Sequence, residues 1–326
     1  MTRDIHGPVA TAAGRARLVW RHCVVEALPG AWRTVRLLLR IMIPVSFAVF
    51  LLKAAGGLDL LARVLAPLFS GLGLPGSSAL VFITGGLLNI YAAIGVIETL
   101  GLGGRTVTIL ALMTLTAHNL PVECSVVGRA GSNPWRILAL RLGFSLVAAL
   151  ALNALLPLDA VAPAAAASAP SVADVGGFST DLGRWALGMG RLSLKILLII
   201  FGLMIAQRLL DTAGITRGLA RALKYPLIIL GVPPEAAFLW VVANTLGLAY
   251  GAGVIIDHAQ RGLISRAHAD RLNHHISISH SLLEDTLLYT AIGVPALWIT
   301  LPRLALAGIA SRLRPLTEVP AGRDHP

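Results

Sequence analysis

Two short stretches gather polar residues inside an otherwise apolar chain. TAHNLPVEC, residues 116–124, sets His118, Asn119 and Glu123 around Pro121. ISHSLLEDT, residues 278–286, sets His280, Ser281, Glu284 and Asp285 in a similar order. Imidazole and carboxylate together suit divalent transition metals, and an imidazole that titrates near neutrality also suits a proton relay. His118, Glu123, His280 and Asp285 are therefore candidate metal ligands. With Asn119, Ser281 and Glu284 they are candidates for a substrate or ion pathway. The structural alternative is that these groups are satisfied internally and only hold their segments in place. Ionisable side chains inside membrane segments are costly, which favours the pathway reading.

The elements that carry these residues belong to a membrane protein. Of 326 residues, 56% are hydrophobic and 13% charged, with a mean hydropathy of +0.77. A soluble domain carries about 25% charged residues, and several apolar runs here approach or exceed the roughly 18 residues that suggest a membrane span. The fold class is all-α and polytopic, which argues against aqueous enzymes such as nucleases and dehydrogenases. The net charge of +11 does not indicate nucleic acid. Its arginines, among them Arg33, Arg36, Arg40, Arg105, Arg136, Arg303, Arg312 and Arg314, sit at segment ends. There they fit topology control and anionic headgroups. Cys23 and Cys124 form neither a disulfide framework nor a CxxC motif. The first long apolar run begins near Leu37, late for a cleaved signal peptide.

The chain repeats itself. GLPGSSALVFITGG from Gly73 aligns with GVPPEAAFLWVVAN from Gly231, and YAAIGVIETLGL from Tyr91 aligns with YGAGVIIDHAQRGL from Tyr250. His118, Glu123 and Arg141 then align with His280, Asp285 and Arg303. This divides the chain into a basic interfacial segment (1–35, broken near Pro29), a first repeat (36–156), an Ala/Pro/Ser-rich linker (157–184), a second repeat (185–312) and a basic tail (313–326). The stretch 156–181 has no Lys or Arg, which favours a periplasmic linker and cytoplasmic ends. Each repeat then crosses an odd number of times, and the two are inverted. Arg261, Arg266 and Arg271 oppose that topology.

Within the first repeat the apolar run 107–117 is too short to span and reads as a re-entrant or buried half-helix. Pro121 lacks an N–H and clashes with the carbonyl of Ala117, so a break is expected at about His118–Pro121, at the tip of a hairpin lining a cavity. Leu283 stands where the second repeat would need that proline, so the break is less strongly indicated there. Interrupted segments at matching places in two repeats point to a transporter's central site. Asn89, Tyr91, Asn244 and Tyr250 lie near segment middles and are candidates for binding a polar substrate, although Asn and Tyr also bond between membrane helices. His268, His274 and His275 share a segment with Arg266, Asp270 and Arg271 and read as a water-exposed face. Cys124 reads as an apolar filler.

At GGLLNIYAAIGVIETLGL (85–102), TAHNLPVEC (116–124) and ISHSLLEDTLLY (278–289) the chain resembles membrane proteins with the nucleoside-recognition, or Gate, domain. That domain is shared with the membrane core of ferrous-iron permeases and with concentrative nucleoside carriers. The resemblance implies a helical transporter or gate with two related halves and leaves nucleoside-like solutes and divalent metals both open. No GxxxxGK[ST] occurs, so likeness to iron permeases is confined to their membrane core.

The expected function is a multi-pass transporter of the inner membrane, partnered by the lipid bilayer and by a small solute or metal ion, with self-association open. The alternatives are a non-transporting gate or scaffold for another complex, and an intramembrane metal-dependent hydrolase. No HExxH or GxSxG supports the last.

Overall fold

The computed structural model describes residues 21–156 and 177–313, without the side chains of 21, 22, 58, 59, 61, 246 and 248–252. The described residues are helical and contain no strand. After a π-turn at Arg21–Val25, the first half runs α1 (Leu28–Ala54), α2 (Gly57–Ser70), α3 (Ser78–Leu87), α4 (Ile90–Leu100), α5 (Gly104–Thr116), α6 (Leu120–Arg129) and α7 (Pro134–Leu155). The second half runs α8 (Phe178–Thr212), α9 (Ile215–Leu223), a single turn at Pro226–Ile229, α10 (Ala237–Leu246), α11 (Leu248–Gln260), α12 (Arg266–Ser279), α13 (Leu282–Ala291) and α14 (Ala296–Arg312). Segments Cys23–Ala54, Gly104–Arg129, Pro134–Leu155 and Phe178–Thr212 are long and apolar enough to cross a membrane.

The seven helices of one half recur in order in the other, and the backbone marks the duplication. Positive-φ glycines occur as Gly56 with Gly214, Gly73 with Gly231, Gly101 with Gly262 and Gly131 with Gly293. Among the described residues the two non-glycine positions at positive φ are Asn119 (46°) and Ser281 (53°), which also correspond. Such turns tolerate little but Gly and Asn, so their pairing reflects one chain path used twice.

Several boundaries differ from the sequence expectation. α8 starts at Phe178, so residues 178–184 of the expected linker are helical; residues 157–176, like 1–20 and 314–326, lie outside the described residues. α1 starts at Leu28, with Pro29 in its first turn, so the end of the expected interfacial segment continues directly into a span. Proline is tolerated there because the N–H it lacks would have had no intrahelical partner.

The expected hairpin tip is instead a break within one crossing. Arg105 at the start of α5 donates to the Asn153 carbonyl near the end of α7 at 2.6 Å. Arg141, early in α7, reaches Thr116 at the end of α5 and Glu123 in α6. Gly128, late in α6, lies against Pro134 at the start of α7. α5 and α6 therefore run consecutively antiparallel to α7. That helix has 22 residues, about 33 Å at 1.5 Å per residue, close to the thickness of a bilayer core. α12 and α13 bear the same relation to α14, where Arg303 meets Ile278 at the end of α12 and Asp285 in α13.

α5 and α12 are wrapped by protein. Every residue from Thr108 to Thr116 and from Leu272 to His280 is buried. This corrects the exposed-face reading of the segment that holds His268, His274 and His275: the last two are buried, and His268 is half-buried. A half-helix surrounded by other helices needs no apolar lipid-facing surface, so α12 can carry Asn273, His274, His275, Ser277 and Ser279. Their bonds stay within protein: the Trp240 indole donates to His275 Nδ1 at 3.1 Å, and Asn273 donates to the Ala130 carbonyl at 3.0 Å.

Candidate functional site

Each polar stretch lies where its helix stops and restarts. The first break spans Ala117–Asn119, just before Pro121, which sits in the opening turn of α6 rather than ending α5. The second spans His280–Ser281 without a proline. The shared cause is the left-handed residue, Asn119 or Ser281. In that conformation its N–H turns outward, and each donates to the last turns of another helix: Asn119 to the Gly85 carbonyl at 2.9 Å, Ser281 to the Ala243 carbonyl at 3.2 Å. Gly85 is in α3 and Ala243 in α10, each of which itself ends within four residues at a further interruption. At the first of these Asn89 caps α4, its side chain accepting from the Ala92 N–H at 2.9 Å. At the second stands Gly247, at φ 85°.

A break inside a membrane strands carbonyls that no water relieves. Here an arginine from the next helix takes them up. Arg141 Nε donates to the Thr116 carbonyl at 2.9 Å while Nη1 meets Glu123 Oε2 at 2.7 Å. Arg303 donates to the Ile278 carbonyl at 2.5 Å and the His280 carbonyl at 2.6 Å while Nη2 meets Asp285 Oδ2 at 2.8 Å. Each guanidinium thus ties the end of one half-helix to the first turn of the next, where the helix dipole also favours a carboxylate. Both arginines are fully buried. Arg303 is therefore not the flanking, topology-setting residue its sequence position suggested.

The two breaks meet. His118 Nε2 and His280 Nε2 lie 3.3 Å apart, and Glu123 Oε1 is 3.1 Å from the first and 3.3 Å from the second. His118 Nδ1 faces the Thr114 carbonyl at 3.0 Å and His280 Nδ1 the Ile276 carbonyl at 2.8 Å. A carbonyl only accepts, so each Nδ1 carries the hydrogen. In the neutral rings both Nε2 lone pairs then face each other and a carboxylate oxygen. Three acceptors converge with no donor among them, an arrangement that calls for a cation or an added proton between them.

These groups border a cavity of about 330 Å³. Nine of the sequence candidates line it: Asn89, Tyr91, His118, Asn119, Glu123, His280, Ser281, Glu284 and Asp285. Three residues of α1, Leu37, Leu38 and Ile41, form an apolar wall. Glu284 accepts from the Tyr91 hydroxyl, which links α13 to α4. One candidate lies elsewhere, and one lining residue is not placed as a metal ligand. Asn244 is buried outside the cavity, with Nδ2 donating to the Trp240 carbonyl at 3.0 Å. Asp285 is engaged by Arg303, and among the described residues the group within metal-holding distance is His118, Glu123 and His280 without it. One carbon fewer than Glu123 leaves its carboxylate closer to its own helix. The side chain of Tyr250 lies outside the described residues. Sequence reasoning did not give Arg141 and Arg303 their role as clamps. The available signal was an arginine repeated at the same spacing as the histidines.

A family model described as Gate, nucleoside recognition, matches residues 35–132, from within α1 to just past the end of α6. An uncharacterized membrane protein of Bacillus subtilis (strain 168), YvoD, is 30% identical over 287 residues, covering 87% of this chain and 91% of that protein. No solved structure matches the chain. The chain belongs to the Gate, or nucleoside-recognition, domain family of membrane proteins.

Proposed function

We propose that this protein is a secondary transporter that moves a small solute or ion through the cavity at the paired helix breaks, and that it is a carrier rather than an enzyme. The observation that supports this reading is the convergence of ionisable groups from both halves, His118 and Glu123 with His280, beside a cavity within otherwise apolar helices. Buried charge of this kind is expensive in a bilayer and marks substrate or ion routes. Discontinuous helices in duplicated halves are a common way of building a transporter's site, because free helix ends supply donors and acceptors without a water-filled sheath. The two halves, inverted relative to one another in the cytoplasmic membrane, would exchange access by rocking about the shared breaks. Asn89, Asn119, Ser281 and Glu284 would contact the transported species, and Arg141 and Arg303 would hold the breaks.

Purified protein in proteoliposomes, assayed for uptake against a panel of nucleosides and divalent cations, tests the reading. Uptake of at least one solute, lost when Glu123 becomes Gln, is the expected result. Folded, correctly inserted protein that moves none of the panel would overturn it in favour of a gate or scaffold for another complex.

A further inference from the structure

We propose that His118, His280 and Glu123 are the protein ligands of a divalent transition-metal ion that clasps the two halves together, with a further coordination position open to the cavity. This goes beyond the transport reading, since the ion can be resident whatever solute is carried. Three observations support it independently. The first is the size of the triangle. Its edges are 3.1, 3.3 and 3.3 Å. A tetrahedral ion with ligands at about 2.0–2.1 Å sets its donor atoms about 3.3–3.4 Å apart, so the three atoms can all bind an ion lying just outside their plane with little movement.

The second observation is the tautomer. Metal-bound imidazoles generally donate their other N–H to a carbonyl or carboxylate, which fixes the ring and directs the free lone pair at the ion. Both rings do so here, to Thr114 and Ile276 at matching positions of the two halves. The third is the far side of the carboxylate. Arg141 occupies Glu123 Oε2 at 2.7 Å and leaves Oε1 toward the imidazoles, a geometry that fits one-oxygen ligation. The donor set of two imidazoles and one carboxylate suits zinc, cobalt, nickel or ferrous iron better than calcium or magnesium, which prefer all-oxygen shells.

The clasp follows from where the ligands come from. His118 and Glu123 bracket the break between α5 and α6, and His280 stands at the break between α12 and α13. An ion on all three joins the halves at the point about which they would have to move.

Co(II) titrated into detergent-purified, metal-stripped, untagged protein tests the proposal. The expected result is about one Co(II) per chain, the strong visible absorption of a four-coordinate cobalt site, and a higher melting temperature with the ion than without. His118→Ala, His280→Ala and Glu123→Gln should each weaken binding at least about tenfold to a hundredfold, the range seen for less direct perturbations of metal sites. His268→Ala, at a half-buried histidine outside the three-ligand group, should bind as wild type. If a ligand variant does not fold, the cobalt spectrum and stoichiometry of the wild type decide alone. Absence of the four-coordinate spectrum in folded wild-type protein, or its persistence in folded His280→Ala, would overturn the metal site. Either result leaves proteoliposome uptake, and so the transport reading, to be judged separately.

Discussion

His118 and His280, 162 residues apart in the chain, meet Nε2 to Nε2 at 3.3 Å. Each stands where its own helix is interrupted, and each holds its other ring nitrogen against a carbonyl four residues earlier. The contact joins corresponding points of the two halves, and Glu123, from the first half only, makes it unequal. Asp285, its counterpart, is turned to Arg303. A duplicated scaffold has thus kept two histidines in common and given the carboxylate of one half a task that the other half's does not share.

The transport reading predicts separate fates for function and folding. Glu123→Gln keeps the shape of the side chain and removes its charge, and His280→Ala removes the partner from the second half. Both should lose most uptake per folded molecule in proteoliposomes, while His268→Ala keeps it. Normal specific uptake with a lowered yield in the first two would show that these residues are structural only.

Glu123 and Arg141 should behave as a coupled pair. Arg141→Met leaves a buried carboxylate without its cation and the Thr116 carbonyl without its donor. Removing one partner of a buried ion pair typically costs about 3–5 kcal/mol, so a large drop in melting temperature is expected. Adding Glu123→Gln to the same protein should recover part of it. Melting curves for both single variants and the double variant would measure the coupling, and strictly additive losses would contradict it.

The left-handed residues give a backbone prediction. Asn119 and Ser281 hold φ of 46° and 53°, where a β-branched side chain is strained by about 1–2 kcal/mol. Asn119→Val and Ser281→Val should lower folded yield and melting temperature, and Asn119→Gly and Ser281→Gly should stay close to wild type. Size-exclusion yield and thermal melts check this. Tolerance of valine at both positions would mean that the interruptions do not depend on those conformations.

The inverted topology predicts the side on which the linker lies. Single cysteines placed within Ala160–Ala173 should react with a membrane-impermeant thiol reagent in intact cells, and cysteines near either terminus only after lysis. A linker that labels solely in lysed cells would place both halves in the same orientation.

Much of the architecture was legible in the residues. Hydropathy showed a polytopic helical membrane protein because spans must be apolar wherever lipid touches them. Matched glycines, histidines and arginines showed a duplication because a repeated backbone path reuses the residues its turns require. The interruption of the 107–117 run lay close to where the chain breaks, although Asn119 rather than Pro121 is at the turn: Ser281 makes the equivalent turn with no proline beside it.

What only the tertiary structure decided concerns contacts between segments distant in sequence. α12 reads as a hydrated face because periodicity and polarity report what a lone helix would show to solvent, and nothing local reveals that other helices enclose it from Leu272 onward. The same limit hid the burial of Arg303 and the engagement of Asp285, since an arginine at the middle of a packed bundle and one at a membrane boundary look alike in a string of residues. The sequence by itself determined which side chains are ionisable and where each helix is prone to stop. Folding decided that His118, Glu123 and His280 converge, because that depends on how one half packs across the other, a sum of many weak contacts that no short stretch of either half contains.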